Sequence, residues 1–165
     1  MLKKFEFEYQ LFQDDTEITT QDLALLQQAR TATANAFAPF SHFLVGAAAL
    51  LSNGEMVIGA NQESNSFPVG ICAERALLNS VGSQYPKETI LAIAVSYHPI
   101  GKDSNMPISP CGMCRQSLLD YEMRFKAPIR IILAGLSGEV MILPSVTQLL
   151  PFGFNGEILK GLGVK

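Results

Sequence analysis

Ser109-Pro110-Cys111-Gly112-Met113-Cys114-Arg115-Gln116 is the stretch whose reading decides the fold. Two closely spaced cysteines follow a proline and open what reads as a helix. Proline suits the first helical turn, where its missing N–H costs nothing. Positions three apart share a helix face, so Cys111 and Cys114 can point at one atom. The free N–H groups and the positive dipole end of a helix start favour thiolate, the form that binds metal. The remaining cysteine, Cys72, stands in Gly70-Ile71-Cys72-Ala73-Glu74-Arg75, again at a predicted helix start. Two sulfurs are half of a tetrahedral zinc site. Three leave one position open, which marks a catalytic rather than a structural centre.

Glu74 is the only acidic residue immediately beside a proposed ligand, and so the candidate acid/base. In an ideal helix Cys72 and Glu74 point about 200° apart. Both face one substrate only if Cys72 lies at the helix start, outside regular geometry. Three thiolates on Zn²⁺ leave one net negative charge, which weakens the metal as a Lewis acid. Helix N-termini offset part of it, and Arg75 or Arg115 can donate to the sulfurs.

Outward from these motifs, Phe5, Phe7, Tyr9 and Leu11 alternate with Glu6, Glu8 and Gln10, the pattern of a half-buried strand. It is expected at a sheet edge or swapped between subunits. Thr19 and Asp22 resemble a capping box before a helix that ends ahead of Pro39. Strands are expected at Phe43–Leu51 and Met56–Asn61, joined through Asn53-Gly54, a strong hairpin signal. The helix from Cys72 is expected to stop at Gly82. Ile90–Ser96, Ile129–Gly135 and Val140–Leu143 read as strands, and the helix from Cys111 runs to about Arg124. Ser145 with Gln148 can cap a short last helix ended by Pro151. The order predicts an α/β fold: three layers, α/β/α, around a mixed, mostly five-stranded sheet. Both cysteine-bearing helices then start beyond the carboxyl ends of strands, where open α/β sheets bind ligands.

The 165 residues are expected to form one domain, with 1–18 as an N-terminal extension carrying the extra strand. Hydrophobic residues make up 48%, which argues against disorder. A net charge of −3 without a run of Lys or Arg argues against a nucleic-acid groove. The longest apolar run, Phe43 to Leu51, is too short to span a bilayer, and no secretory leader is evident. Three cysteines cannot all pair within one chain, so reduced thiols in a cytoplasm fit best.

The two cysteine motifs together resemble the zinc cytidine deaminase family. Cysteine at position 72, where nucleic-acid deaminases carry histidine, resembles the small homotetrameric nucleoside deaminases. Pro39-Phe40-Ser41-His42-Phe43-Leu44-Val45-Gly46-Ala47-Ala48 is similar to the family's Pro-Tyr-Ser-x-Phe-x-Val-Gly-Ala-Ala, Asn61-Gln62-Glu63 to its Asn-x-Glu, and Leu149-Leu150-Pro151 with Phe154 to its usual end. The resemblance covers roughly residues 20 to 155. It implies one Zn²⁺ per subunit on Cys72, Cys111 and Cys114, with Glu74 as proton shuttle and Arg75 in support. It also implies Asn61 and Glu63 on the ribose 3′-hydroxyl, Phe43 as a pocket wall and the Ala73 backbone as donor to the pyrimidine carbonyl. Phe154 would be a ring that neighbouring subunits place over the base. The implied reaction is hydrolytic deamination of cytidine and 2′-deoxycytidine in a cytoplasmic homotetramer, with no nucleic-acid or membrane partner. Phe37, Phe40 and Phe67 replace frequent tyrosines of the family, and Ser64-Asn65 replaces Asn-Ala, so recognition of the 5′-hydroxyl departs from the pattern.

Blander readings stand beside these. A lone Cys-x-x-Cys is often structural zinc or a redox pair. Phe43, Phe152 and Phe154 read as packing residues, Asn61 and Glu63 as strand-end polar groups, and Arg115 as helix surface. His42 and His98 have no ligand partner at useful spacing. Competing functions are a structural zinc module and a deaminase of another aminopyrimidine compound, such as a nucleoside antibiotic. Glu74 speaks against the first, and Asn61 with Glu63 favours a ribose.

Overall fold

In a computed structural model, which describes residues 1–156, the chain runs β1 (Gln10–Phe12), α1 (Thr20–Ala32), β2 (Phe43–Leu51), β3 (Met56–Ala60), α2 (Ala73–Gln84), β4 (Ile90–Pro99), α3 (Gly112–Phe125), β5 (Arg130–Ala134) and β6 (Val140–Leu143). Three 3₁₀ turns lie at Thr33–Asn35, Phe67–Val69 and Val146–Leu149. Residues 157–165, the end of the expected domain, lie outside the described residues.

The apolar run of β2 has no alternation because both its faces are covered. Ala48 and Leu50 join Leu25, Leu26 and Ala29 of α1 in one core, with Ala92, Ala94 and Ile132. Ala47, Ala49 and Leu51 join Leu77, Leu78 and Val81 of α2 and Leu118 of α3 in the other, with Ile93, Val95, Ile131 and Leu133. The layers are therefore α1, the sheet, then α2 with α3. Two glycines set how closely the helices sit. A Cβ on Gly46 would fall 2.1 Å from Ala29 O of α1, and one on Gly59 would fall 2.5 Å from Leu77 N of α2.

The sheet order is β1-β6-β5-β4-β2-β3. β4 and β5 are parallel, and β2 is antiparallel to both β3 and β4. The carboxyl ends of β3 and β4 and the start of β2 thus meet on one sheet edge. α1 starts as expected, with Thr19 Oγ1 accepting from Asp22 N.

Several expectations are corrected. The sheet has six strands rather than five, β1 being the sixth. β1 pairs only over Gln10–Phe12, at the sheet edge. Phe5, Phe7 and Tyr9 lie outside any strand and are exposed, because one neighbouring strand of four residues leaves them nothing to pair with. α2 runs through Gly82 to Gln84. Gly82 is instead a close-approach site, where a Cβ would fall 2.4 Å from the Tyr121 hydroxyl. β4 extends to Pro99 because its whole length pairs with β2. The last helix is a 3₁₀ turn, and Ser145 caps Thr147 N rather than Gln148.

Candidate active site

Cys72 and Cys111 are the N-cap residues of α2 and α3, both with extended backbone. The Cys72 position meets the requirement that sequence imposed, a ligand just outside the helix. Pro110 precedes the N-cap and so stands outside the first helical turn, a correction to the expected placement. Cys111 and Cys114 meet as N-cap and third helical residue rather than as two helical positions, the same spacing that a capping box uses.

The three sulfurs form one cluster. Cys72 Sγ lies 3.8 Å from Cys111 Sγ, Cys111 Sγ lies 3.4 Å from Cys114 Sγ, and all three lie within 4.8 Å of one another. A tetrahedron with Zn–S bonds of about 2.3 Å has edges of about 3.8 Å, so the set fits zinc. Protonation points the same way. The hydrogen bond from Cys114 pulls the Cys72 thiol down to about 6, against burial. Cys114 is pushed up by its bond to Cys72, by burial and by the charge of Glu74. Between them Cys72 and Cys114 thus favour one negative charge over two, and a cation beside them reverses that balance. Two helix N-termini converge on the cluster and contribute positive potential.

Glu74, in the first turn of α2, is 5% exposed. Burial raises its pKa, against its own backbone N–H and the Cys114 thiol. It lines a cavity of about 410 Å³ together with Cys72, Ala73, Cys111, Phe43, Asn61 and Glu63. The structure therefore brings eight of the expected residues to one place, since Cys114 closes the sulfur cluster beside it.

Within that cavity the polar groups are held by backbone. Asn61 Oδ1 accepts from Val45 N at 2.8 Å, and its Nδ2 donates to Phe43 O at 2.9 Å. Its side chain continues the β2–β3 ladder past the last paired residue. Glu63 Oε2 accepts from Phe40 N at 2.8 Å and Ser41 N at 3.2 Å. The Ser41 hydroxyl and the Phe40 amide hold its carboxyl below the usual range. The turn so fixed passes through His42, at φ 55, into Phe43. The Phe43 ring stacks on Tyr97 at 5.2 Å between centroids.

Other placements differ from expectation. Arg115 does not donate to sulfur: its Nε donates to Pro110 O at 2.8 Å and its Nη1 to Leu149 O at 3.1 Å. Arg75 makes no hydrogen bond to a sulfur among the described residues, although its charge helps to lower the Cys72 pKa. Phe154 is 63% exposed and does not line the cavity of its own chain. Phe152 is likewise exposed, its ring 6.2 Å from that of Phe5. Sequence reasoning missed Ser41, Val45, Ile108 and Ser109 on the cavity wall. Ser109 directly precedes the Pro-Cys pair, which was a usable signal. Ile108 had none, because its loop is placed at long range. There buried Ser104 donates to Tyr97 O and accepts from Leu136 N.

Known proteins share this fold. Residues 19–126 match the family described as the cytidine and deoxycytidylate deaminase zinc-binding region. The chain belongs to that family. A cytidine deaminase of Halalkalibacterium halodurans is 35% identical over 133 residues, which cover 81% of this chain and 93% of that protein. A blasticidin-S deaminase of Bacillus cereus is 30% identical over 84% of this chain and 95% of its own length. Among solved structures, the cytidine deaminase of Burkholderia pseudomallei superposes with a TM-score of 0.70 at 33% identity. That match covers 83% of this chain and all of the other. As in the deaminase family's zinc-binding region, the metal here would be zinc, held by Cys72, Cys111 and Cys114. No helix among the described residues is long and apolar enough to cross a membrane.

Proposed function

We propose that this deaminase-family chain is an enzyme that converts cytidine and 2′-deoxycytidine to uridine and 2′-deoxyuridine, with release of ammonia. The observation that carries the reading is the buried Glu74 carboxyl facing the same cavity as the three-sulfur cluster. A structural zinc site has no use for such a group. Zinc in a site with one open position supplies a water acidified towards neutral pH. Glu74 then moves the protons: it takes one from the attacking water and delivers one to the departing amino group. The C4–O bond forms first, with the water proton passed to ring nitrogen N3, and the C4–N bond then breaks as the remaining hydroxyl proton passes to the amino group, which leaves as ammonia. Burial keeps the Glu74 pKa raised, nearer the range in which one carboxyl both accepts and donates.

The remaining residues position the substrate. Asn61 and Glu63 each keep at least one acceptor site after their backbone bonds, enough to receive a ribose hydroxyl. Phe43, braced by Tyr97, walls the pocket, and the Ala73 N–H at the start of α2 donates to the pyrimidine carbonyl. Arg75 supports Cys72 through its charge. We assign one zinc per subunit, a cytoplasmic homotetramer and sites shared between subunits. The exposed Phe154 ring supports the last of these, since it is free to enter a neighbour's site.

A second reading has its own observation. A separate cavity of about 230 Å³ shares Asn61, Glu63 and Cys72 with the first and is also lined by Ser64, Phe67, Gly70 and Ile71. That space, and the similarity to a blasticidin-S deaminase, favour an aminopyrimidine nucleoside larger than cytidine. A panel of such nucleosides, followed by the loss of absorbance on deamination, separates the two.

The test of mechanism is Glu74→Gln. It is expected to keep fold and about one zinc per chain, and to lose about 10²–10⁴-fold in turnover. Turnover within a few-fold of the parent, or a parent protein without zinc, refutes the proposal.

A further inference from the structure

Two residues beyond Cys114, the Gln116 side chain clasps the backbone of Phe154. Its Nε2 donates to Phe154 O at 2.7 Å and its Oε1 accepts from Phe154 N at 3.2 Å. The second Nε2 hydrogen goes to Asp120 Oδ1 at 2.8 Å, one helical turn on. An ionised carboxylate only accepts, so Asp120 fixes which end of the amide faces it. With that orientation set, the amide matches the N–H and C=O of one residue, as a neighbouring strand would.

The clasp is one of several ties from α3 to the segment that follows β6. Arg115 holds Leu149 O. At Gly153 a Cβ would fall 2.4 Å from Leu119 Cδ2, so the segment lies directly on the helix. Gly153 N also closes a turn onto Leu150 O at 3.0 Å. The backbone of residue 154 is therefore pinned, while its ring points into solvent at 63% exposure. A two-point backbone clasp on a residue whose ring is largely exposed in its own chain fits a ring that is presented elsewhere.

We infer that Gln116 is a positioning residue that presents the Phe154 ring to substrate through a backbone clasp set by Asp120. This rests on the reading of Phe154 as a base-facing ring. The helix that carries Cys114 would then also fix the ring, so that one subunit's metal centre is tied to the base cover of its neighbour's site.

The test is a double-mutant cycle in the full-length zinc enzyme, with KM for cytidine, kcat and zinc content as readouts. Phe154→Ala is expected to raise KM roughly 2- to 10-fold, the value of one aromatic stacking contact. Gln116→Ala is expected to raise KM by a similar or smaller factor, with zinc retained and kcat near the parent. The double variant is expected to match Phe154→Ala within about two-fold, because a clasp without a ring has nothing to present. If Gln116→Ala does not fold, Gln116→Glu serves, since a carboxylate opposes both Phe154 O and Asp120.

The chain has no tryptophan, so Phe154→Trp supplies a single reporter. Its fluorescence anisotropy is expected to fall when Gln116→Ala is added. Parent KM in Phe154→Ala refutes the base-facing reading, and the positioning role with it. A raised KM in Phe154→Ala with fully multiplicative losses in the double variant, or unchanged anisotropy, overturns the positioning role alone.

Discussion

Replacement of Gly59 by alanine tests whether the approach of α2 to β3 sets the sulfur cluster. A Cβ at this position would lie 2.5 Å from Leu77 N, 2.6 Å from Ala73 O and 2.8 Å from Leu77 Cα. All three are backbone atoms, so no rotamer change relieves them. Ordinary contact begins near 3.4 Å, and α2 must retreat by about 0.9 Å to reach it. The first turn of α2 carries Glu74, and its N-cap is Cys72. The same retreat shifts Cys72 relative to Cys111, which lies 3.8 Å away. Overpacking of this kind costs about 1–3 kcal/mol, a fall in Tm on the order of 2–12 °C for a chain of this size. A misplacement of about 1 Å can cost up to about 10²-fold in rate. Gly59→Ala is therefore expected to lose stability, zinc affinity and kcat/KM together. Urea denaturation, metal analysis and cytidine kinetics measure the three. Gly112→Ala is the control: it lies beside Cys111, and its Cβ would meet nothing within 4 Å. It is expected to be neutral, or more stable by about 0.4–1 kcal/mol. A Gly59→Ala protein with parent stability and zinc content refutes the argument.

Asn61→Ala removes the partner of Val45 N and Phe43 O and is expected to cost about 1–3 kcal/mol, with a higher KM for cytidine. Asn61→Asp, which keeps the acceptor and loses the donor, should fall between, and urea titration ranks the three. Glu122 collects Ile129 N, Val146 N and the hydroxyls of Ser145 and Thr147 on one carboxylate. Glu122→Ala is expected to destabilise by about 2–3 kcal/mol while zinc stays bound, because this network joins α3 to the chain end away from the sulfurs. Equal Tm in variant and parent would show that the network contributes nothing.

Much of this protein is written locally. The capping pair Thr19 and Asp22, the Asn53-Gly54 hairpin and the apolar runs of β2, β4 and β5 each act within a few residues, and each is found where its pattern predicts. The candidate ligands are local too, since three cysteines in two short motifs exhaust the chain's thiols. Even the placement of Cys72 outside regular helix followed from one angle, that between it and Glu74.

What tertiary structure alone decided is how groups distant in sequence share backbone and space. The alternation from Phe5 to Leu11 promised a longer strand than forms, because strand length depends on a partner that periodicity does not report. Gly82 looks like a helix stop by composition, yet the Tyr121 hydroxyl from another helix gives it a different reason to be glycine. Arg115 offered charge to the sulfurs, and instead satisfies carbonyls 5 and 34 residues away. Asn61 and Glu63 were legible as polar site residues, but not as braces on the strand and turn that carry Phe43. Such pairings depend on register and packing between elements, and a residue's chemistry constrains but does not choose among the partners that the fold brings within reach.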